Sequence, residues 1–464
     1  MRRRLVAAVW FSIGWLASAT TAQELARLVA AAEALGARTG VAVCDDDGQP
    51  LFRHRVREAF APASNMKLLT AAAVLSGLGP DFEFHTTFAL RSGRLVVMAS
   101  GDPNWIHGTA DDPALVFAAV GKALVARGVT ALQGIDLEAG TFTGPARPPT
   151  WPQDQLHTYY CAPTGPFVLE QGVFVLRLAA ADGRVAVDLV APNAGKLVRV
   201  QDQVRLQETR KDAVYGALDA GDGSVRATGR FWRKSPPVEI RTAMAEPTMW
   251  FRATLTNALA EAGVRIGADA DAVAVPDAIV HVHKSALVPA LERMLEDSSN
   301  FDAEQCLRVL GAKRGAGSLS GGLTALEAAV VDLVGQRPDD QELVDGSGLS
   351  KQNRLSPAVL LTALFRASRR EGGAALAACL PVAGKSGTLA ERFAGSDLIG
   401  RVRAKTGWIR GASALTGLVD GKDGRRRWFA ILMNYDPKVD GLNKDLKRLQ
   451  EQMVAVIDGM VVDR

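Results

Sequence analysis

A serine and a lysine in the stretch FAPASNMKLLTAAAVLSGLG have side chains and a spacing suited to nucleophilic catalysis. Ser64 and Lys67 stand three positions apart, so their side chains share one face if this apolar stretch is a helix. A serine hydroxyl is a weak nucleophile until a base accepts its proton, and Lys67 is placed to be that base. The pKa of Lys67 must then fall from about 10.4 to about 7–8. The alternative is an ordinary solvated helix turn, because Ser-x-x-Lys is a short motif.

Two triplets of lysine, hydroxyl residue and glycine lie in the C-terminal third, one at 385–387 and the other Lys405-Thr406-Gly407. The second stands in RVRAKTGWI, whose alternation predicts the first of three strands. A substrate can lie along the edge of such a strand, so we assign the site to Lys405, Thr406 and Gly407. A lysine there would lower the pKa of Lys67 and attract an anionic substrate. The triplet at 385–387 precedes TLAERF, which reads as loop and helix, and we interpret it as a coincidence.

A second hydroxyl and a carboxamide complete the set of polar side chains. Ser298 and Asn300 follow the predicted helix SALVPALERMLED, although a helix can end on such residues without any function. Taken in order, Ser-x-x-Lys, Ser-x-Asn and Lys-Thr-Gly resemble the active-site motifs of penicillin-binding proteins and serine β-lactamases. The long separation of Ser64 from Ser298, with the phrases GDPNW, VDGSGLSKQNRLSP and SGTLAERF, resembles one group of these. That group is the class C low-molecular-mass penicillin-binding proteins, the D-alanyl-D-alanine carboxypeptidase/endopeptidase family S13, typified by penicillin-binding protein 4.

The resemblance implies an acyl-enzyme mechanism. Ser64 would attack the carbonyl of a D-Ala-D-Ala bond, Lys67 would accept its proton, and Ser298 would relay that proton to the leaving amine. The oxyanion would lie between the backbone N–H groups of Ser64 and Trp408. Water would then release the acyl group. The implied enzyme is a serine-type D-Ala-D-Ala carboxypeptidase, a DD-endopeptidase, or both, acylated by penicillin and other β-lactams, and no cofactor or metal is expected.

The resemblance also implies which residues bind the substrate, a peptidoglycan stem peptide ending in D-Ala-D-Ala. Asn300 would hold the substrate amide, and Lys405 and Thr406 would bind the terminal carboxylate. Gly407 would let the substrate backbone approach closely. Asp154, in TWPQDQLHTYYCAP, would face the diaminopimelate side chain, although an exposed loop aspartate without a role is the alternative.

Two further segments bear on the cleft. DGSGLS at 345–350 could line it, but Asp-Gly-Ser-Gly is also plain turn chemistry, and we favour the turn. Trp408 and Ile409 follow the Lys-Thr-Gly triplet where the family often has small or hydroxyl residues. This departure concerns the details of the substrate more than the reaction.

The order of elements, together with the resemblance, predicts an α+β fold. A β-lactamase/transpeptidase-like domain, an antiparallel sheet flanked by helices, would carry a large inserted block of one or two small, mainly β domains. We expect the catalytic domain at 23–88 and 282–464, a second domain at 89–165 and 245–281, and a third at 166–244. The insert reads as short strands with one helical segment, TMWFRATLTNALAEAGV. Its polar, alternating text from VRVQDQ to FWRK predicts a small antiparallel sheet.

The first 22 residues have the layout of a secretory signal. Three arginines precede an uncharged stretch that ends in small residues, and we expect cleavage after Ala19 or Ala22. The stretch falls short of the roughly 20 residues of a membrane span, with an uncleaved anchor as the alternative. Cleavage removes the three arginines and no acid, so the formal net charge falls from +4 to +1. This value gives no electrostatic case for nucleic acid, and we expect a periplasmic protein.

The cysteines leave two outcomes open. Cys44, Cys161, Cys306 and Cys379 allow three disulfide pairings in an oxidising compartment. Cys306 and Cys379 lie in apolar helical stretches, so buried free thiols are at least an equal expectation. The sequence decides neither this pairing nor whether the protein is a homodimer.

Three rival functions have weaker support in the sequence. A β-lactamase would need its own deacylation residues, but no glutamate between Asn300 and Lys405 has an asparagine four positions later, and no tyrosine begins Tyr-x-Asn. A metal-dependent peptidase is supported only by His281-Val-His283, and a metal site needs further ligands. The third rival is a non-catalytic envelope protein that binds peptidoglycan with a relic site, which would bind penicillin without cleaving peptides.

Overall fold

The computed structural model describes residues 21–267, 276–336 and 341–460 of the chain, so the predicted signal lies outside the described residues as far as residue 20. The helices are α1 (21–34), α2 (Met66–Leu78), α3 (Pro113–Val125), α4 (Pro247–Glu261), α5 (Val288–Leu295), α6 (Asn300–Lys313), α7 (Leu319–Val334), α8 (Pro357–Ala367), α9 (Gly373–Ala378) and α10 (Leu442–Asp458). Of these described helices, none is long and apolar enough to cross a membrane.

The strands alternate with these helices along the chain. They are β1 (Arg38–Asp45), β2 (Pro50–His54), β3 (Glu83–Arg91), β4 (Arg94–Met98), β5 (Ala131–Leu132), β6 (Gly134–Glu138), β7 (Val173–Ala181), β8 (Arg184–Ala191), β9 (Arg199–Gln207), β10 (Val214–Asp219), β11 (Ser224–Trp232), β12 (Val238–Ala243), β13 (Arg265–Ile266), β14 (Ala278–Ala286), β15 (Val402–Ile409), β16 (Ala412–Asp420) and β17 (Arg426–Asn434). Helices and sheets thus occur in both halves of the chain, as an α+β fold requires.

The chain divides into two compact units. The first comprises the described parts of Met1–Pro80, Leu291–Ser299 and Leu323–Arg464, and the second comprises those of Asp81–Ala290 and Asn300–Gly322. The first unit contains Ser64, Ser298 and the Lys-Thr-Gly triplet. The domain boundaries expected from the sequence, including the split of the insert into two domains, stay predictions.

The first unit is built on a five-stranded antiparallel sheet in the order β15-β16-β17-β1-β2. Helices α1 and α10 pack on one face, where Leu25, Val29 and Met453 join the sheet residues Val41 and Ile431 in one buried cluster. Because the sheet pairs in this order, β15 lies at its edge. Part of that edge is covered, because residues 381–383 form backbone hydrogen bonds with Val402 and Ala404, and among the described residues this backbone pairing ends there.

Helix α2 is buried over nearly its whole length, which fits its composition. Every residue from Met66 to Leu75 is buried, including Lys67 and Thr70. A helix that is apolar on all sides must lie inside the protein, and only Ser76, Gly77 and Leu78 reach towards solvent. Gly79, with φ +87, ends the helix in a conformation that favours glycine. A buried helix of this kind holds Ser64 and Lys67 at its start in a fixed orientation.

The second unit contains four sheets and two large hydrophobic clusters. The four-stranded sheet β14-β3-β4-β6 packs with α3 and α4 around Phe88, Phe117 and Phe251. The sheets β12-β7-β8 and β10-β11-β9 enclose the other cluster, around Phe174 and Trp250. A two-stranded parallel pair, β13-β5, completes the set among the described residues.

Three local predictions were wrong. The insert contains a second helix, α3, which Asp112 caps by accepting a hydrogen bond from the backbone N–H of Ala114. The polar sheet is mixed, because β11 pairs with β10 antiparallel but with β9 parallel. The stretch SALVPALERMLED begins in a strand, since Ser285 and Ala286 belong to β14 and the helix starts only at Val288. In the two cases that involve strands, long-range pairing overrides the local pattern.

All four cysteines are buried and none of them forms a disulfide, so the structure favours buried thiols. Burial raises the pKa of the Cys44 and Cys379 thiols to about 12. Both thiols are therefore protonated and unreactive at neutral pH.

Glu170 gives the second unit a testable pH dependence. Burial raises the pKa of this carboxyl from 4.5 to about 7, and the charge of Asp112 adds to the rise. The backbone hydrogen bond from His107 and the charges of His107 and Arg241 oppose it. The folded state then binds more protons than the unfolded chain between about pH 4.5 and 7, so stability falls as the pH rises through that window. Glu170→Gln should remove roughly 2–3 kcal/mol of this pH-dependent loss. Thermal unfolding of the parent protein and of Glu170→Gln from pH 4.5 to 8 measures this difference. If the stability of the two proteins changed equally with pH, Glu170 would not be the group responsible.

Candidate active site

Ser64 lies in a tight turn that the surrounding chain holds in place. Residues Ala63–Asn65 form one 3-10 turn directly before α2. Ala63 has φ +47, a left-handed conformation that is strained for any residue other than glycine. The buried Asn65 side chain donates a hydrogen bond of 2.9 Å to the carbonyl oxygen of Lys405. The turn is therefore fastened to β15, and Ser64 itself remains half-exposed.

The structure brings Ser64 and Lys67 together as the spacing predicts. Lys67 Nζ lies 3.1 Å from Ser64 Oγ, within hydrogen-bond distance. Lys67 is fully buried, and its Nζ also donates a bond of 2.7 Å to the carbonyl oxygen of Ser347. Two fixed acceptors thus hold the amine in place beside the hydroxyl.

The segment that carries Ser347 was interpreted from the sequence as an ordinary turn, yet it lies directly against α2. Thr70 Oγ1 donates a 2.6 Å bond to the carbonyl oxygen of Gly346. Gly348 has φ +79, and a Cβ added there would meet the carbonyl oxygen of Ala63 at 1.9 Å. This close approach accounts for the glycine, and it joins the 346–348 segment to the turn Ala63–Asn65, which carries Ser64.

A buried carboxylate organises that segment. Asp345 accepts hydrogen bonds of 2.7 Å from the backbone N–H groups of Gly348 and Ser350 and from the Asn353 side chain. Asp345, Ser347, Ser350 and Asn353 are all at most 1% exposed. Bonds to a charged acceptor are strong, so this network fixes the carbonyl that receives Lys67. The sequence signal that could have revealed it is the pairing of a turn aspartate with an asparagine eight positions later.

The Lys-Thr-Gly triplet lies where β15 passes the turn that carries Ser64. Lys405 is fully buried, and its Nζ donates a 3.0 Å bond to the carbonyl oxygen of Thr406. Burial, together with the nearby charge of Lys67, holds the pKa of Lys405 well below its ordinary value, and Asp297 opposes this shift. A Cβ at Gly407 would meet the carbonyl oxygen of Pro62 at 2.9 Å. The two lysines therefore share one buried region, as the sequence argument required.

The orientation of the strand edge is set by its hydrogen bonds. Ala404 directs its backbone N–H outward to the carbonyl oxygen of Pro381. Since outward N–H groups alternate along a strand, those of Thr406 and Trp408 also point away from β16. The Trp408 side chain is 56% exposed. A backbone donor and an exposed indole thus follow Gly407 at the sheet edge.

Ser298 follows α5 in a strained conformation. Its φ is +64, which costs about 1–2 kcal/mol for a residue with a Cβ. The preceding segment is anchored to the loop before β15, because the backbone N–H of Thr388 donates to the carbonyl oxygen of Glu296 at 3.1 Å. Ser298 is half-buried within the first unit. Strain of this kind at a polar side chain is typical of a functional position.

Asn300 and Asp154 belong to the second unit, and their proposed roles stay predictions. Asn300 is the first residue of α6, and its side chain donates a 2.9 Å bond to the carbonyl oxygen of Tyr160. Asp154 is exposed in the short 3-10 turn Gln153–Gln155.

The histidine pair of the metal-peptidase alternative has other neighbours. His283 on β14 lies 3.1 Å from Asp111 and packs on the ring of Trp105 at 4.5 Å. Within the described residues, no group of three or more histidine, cysteine, aspartate or glutamate side chains is arranged to hold a metal ion.

The chain is similar to known proteins in its sequence and its fold. A model of the D-Ala-D-Ala carboxypeptidase 3 (S13) family matches residues 21–458. A D-alanyl-D-alanine carboxypeptidase of Actinomadura sp. (strain R39) is 32% identical over 441 residues, covering 86% of this chain and 78% of that relative. The crystal structure of penicillin binding protein 4 from Haemophilus influenzae has a TM-score of 0.75 at 20% identity, covering 90% of this chain and 96% of that chain.

The fold and the matched residues define a peptidase of the D-Ala-D-Ala carboxypeptidase class. More narrowly, the match over residues 21–458 places the chain in the D-Ala-D-Ala carboxypeptidase 3 (S13) family. The predicted family, the α+β fold and the D-Ala-D-Ala carboxypeptidase activity are thereby confirmed.

Proposed function

We propose that Ser64 is the nucleophile of this carboxypeptidase and that Lys67 is its general base. The observation that carries the proposal is the 3.1 Å distance between Ser64 Oγ and Lys67 Nζ, with the lysine fully buried. A second buried lysine nearby, Lys405, disfavours protonation of both amines at once. One uncharged amine in contact with the hydroxyl is the arrangement that a serine nucleophile needs.

The reaction proceeds in two steps. The Ser64 oxygen bonds to the carbonyl carbon of the D-Ala-D-Ala bond while its proton passes to Lys67, and the backbone N–H groups of Ser64 and Trp408 stabilise the oxyanion. The C–N bond then breaks, and Ser298 relays the proton to the departing amine. Water adds to the acyl-enzyme and releases the shortened peptide with Ser64 regenerated.

The substrate lies along the edge of β15 with its carboxylate near Thr406. The backbone of Gly407 leaves room for it, and Lys405 lies buried beneath this edge of the strand. Asn300 binds the substrate amide. β-Lactams, whose strained amide takes the place of the D-Ala-D-Ala bond, acylate the same serine.

The place of action is the periplasm. A cleaved signal at residues 1–22 would deliver the mature chain to peptidoglycan, and membership of a family of cell-wall peptidases supports this location. The proposed reaction does not depend on a homodimer, whose formation is to be measured separately.

One experiment tests the nucleophile and the activity. The mature protein is incubated with a fluorescent penicillin, digested and analysed by mass spectrometry, with Ser64→Ala as the control. Release of D-alanine from a pentapeptide is measured in parallel, with and without a chelator to test for a metal-dependent peptidase. Cleavage of cross-linked muropeptides distinguishes endopeptidase from carboxypeptidase activity. A label on the peptide containing Ser64, together with D-alanine release, is expected. A label without any cleavage would favour the relic binding protein, and rapid turnover of penicillin would favour a β-lactamase.

Asp154 provides a separate prediction about the substrate side chain. If Asp154 faces the charged amine of diaminopimelate, Asp154→Ala should lower kcat/KM for diaminopimelate peptides about five- to tenfold and leave peptides with an uncharged residue there unchanged. The exposed Asp188 on β8 offers a matched control, Asp188→Ala. Equal kinetics of Asp154→Ala and the parent protein on diaminopimelate peptides would remove Asp154 from the binding site.

A further inference from the structure

The triplet at 385–387 has a place in the structure that its interpretation as a coincidence did not foresee. It leads into the short 3-10 turn Gly387–Leu389, which lies beside β15. Within that turn, Thr388 is exposed, and the Thr406 hydroxyl donates a 2.9 Å hydrogen bond to the Thr388 hydroxyl. Two hydroxyl groups, one from a loop and one from the strand, thus meet at the sheet edge where the substrate carboxylate is proposed to bind.

Thr388 is held in this position by its neighbours. Gly387 has φ +50, and a Cβ added there would lie 2.5 Å from the carbonyl oxygen of Glu296. The backbone N–H of Thr388 donates to that same oxygen at 3.1 Å. Leu389 is fully buried in the core of the first unit. Ser386 Oγ accepts a 3.2 Å bond from the backbone N–H of Val382, which closes the loop.

A carboxylate needs more donors than β15 supplies on this face. Each carboxylate oxygen accepts about two hydrogen bonds, whereas a threonine hydroxyl donates only one. Side chains on one face of a strand come from alternate residues, so the position after Thr406 on its face is Trp408, which has no hydroxyl. The indole N–H belongs to a large exposed ring and does not replace a short hydroxyl beside Thr406.

The hydrogen-bond direction makes Thr388 suited to fill this gap. Its oxygen accepts the proton of Thr406, so its own proton remains to donate. Chains of hydrogen bonds that run in one direction strengthen one another. An anion placed at the exposed side of Thr388 would therefore meet a polarised donor.

We propose that Thr388 is a second hydroxyl ligand of the substrate's terminal carboxylate, acting as a pair with Thr406. The inference rests on the proposed function, because it assumes that a D-Ala-D-Ala carboxylate lies beside Thr406. It assigns the triplet at 385–387 the role of a support that presents Thr388 to the site.

The test compares substrates with and without the carboxylate. Thr388→Val keeps the shape of the side chain and removes the hydroxyl, and Thr388→Ser restores a hydroxyl. Both are assayed on a peptide ending in D-Ala-D-Ala and on its C-terminal amide. Acylation by benzylpenicillin and by its methyl ester gives the same comparison without peptide cleavage. Thr362→Val on α8 is the control for a threonine-to-valine change outside the site.

For Thr388→Val we expect kcat/KM, or the acylation rate, to fall about 10- to 100-fold for the carboxylate compounds and less than about twofold for the amide and the ester. Thr388→Ser should recover most of the loss, and Thr362→Val should match the parent protein. An equal loss on both kinds of compound, or no loss, would overturn the inference and leave the Thr388–Thr406 bond as a structural tie.

Failure of the inference is distinguishable from failure of the proposed function. If the parent protein forms the Ser64 acyl-enzyme and Thr388→Val keeps the parent's preference for the carboxylate, only the inference is wrong. If the parent protein neither cleaves the peptide nor reacts with penicillin, both are wrong. Thermal unfolding of each variant establishes that it is folded.

Discussion

Replacing Lys67 by methionine should lower the rate of acylation by penicillin about 10²- to 10⁴-fold, the usual contribution of a general base. Methionine keeps the length of the chain and its apolar stem but cannot accept the proton of Ser64. The fold should survive, because methionine fills the space of the buried amine with an apolar side chain, while the carbonyl of Ser347 loses one donor at a cost of about 1–3 kcal/mol. Stopped-flow measurement with a fluorescent penicillin gives the rate, and thermal unfolding reports the stability.

Two further variants test whether Lys67 acts by accepting a proton or through a positive charge. Lys67→Arg keeps a cation that cannot lose its proton in a protein, so it should be as slow as Lys67→Met. Lys444→Met, at an exposed position of α10, should react like the parent protein. If Lys67→Arg retained the parent rate, the role of Lys67 would be electrostatic and another group would have to accept the proton.

Replacing Gly348 by alanine should abolish activity and lower the free energy of unfolding by about 3–5 kcal/mol. The left-handed φ of +79 accounts for about 1–2 kcal/mol of this loss. The remainder comes from overpacking, since a Cβ would lie 1.9 Å from the carbonyl oxygen of Ala63. Relief of that clash must shift either the nucleophile turn or the segment that presents the Ser347 carbonyl to Lys67. Denaturant unfolding and penicillin acylation measure the two effects.

Gly424 provides the matched control in the same unit. Its φ is +76, almost that of Gly348, but a Cβ there would meet nothing within 4 Å. Gly424→Ala should therefore cost only about 1–2 kcal/mol and leave acylation unchanged. Similar losses in both variants would mean that backbone conformation alone matters and that the contact with Ala63 does not position the site.

The parts of the site that follow from local spacing could be predicted from the sequence. Ser64 and Lys67 meet because three positions make about one turn of the helical segment in which the 3-10 turn Ala63–Asn65 leads into α2, and the apolar residues from Met66 to Leu75 form and bury that helix. The alternation around Lys405 likewise predicts a strand, and β15 forms there. These features depend on contacts between residues close in the chain, which periodicity describes.

The parts that depend on distant contacts could not be predicted. Asp-Gly-Ser-Gly has the same local signature whether the turn is solvated or packed on a catalytic helix, and the contact of Lys67 with Ser347 joins residues 280 positions apart. The position of Thr388 at the site could not be predicted for the same reason, because its hydrogen-bond partner Thr406 lies on a different element. The parallel pairing of β9 with β11 also depends on where the chain returns, which alternation does not encode.

The cover over the start of β15 also limits what can attach to the sheet. Residues 381–383 occupy the edge at Val402 and Ala404, and the uncovered length from Lys405 to Ile409 is about 17 Å at 3.4 Å per residue. An exposed strand edge invites pairing with other chains and hence aggregation, and natural sheets counter this by shortening or covering the edge. The open part of β15 is long enough to pair with the end of a short peptide and too short to template an extended strand. The pairing by residues 381–383 thus leaves an opening of the size of a ligand and guards the folded chain against joining sheets with its own copies.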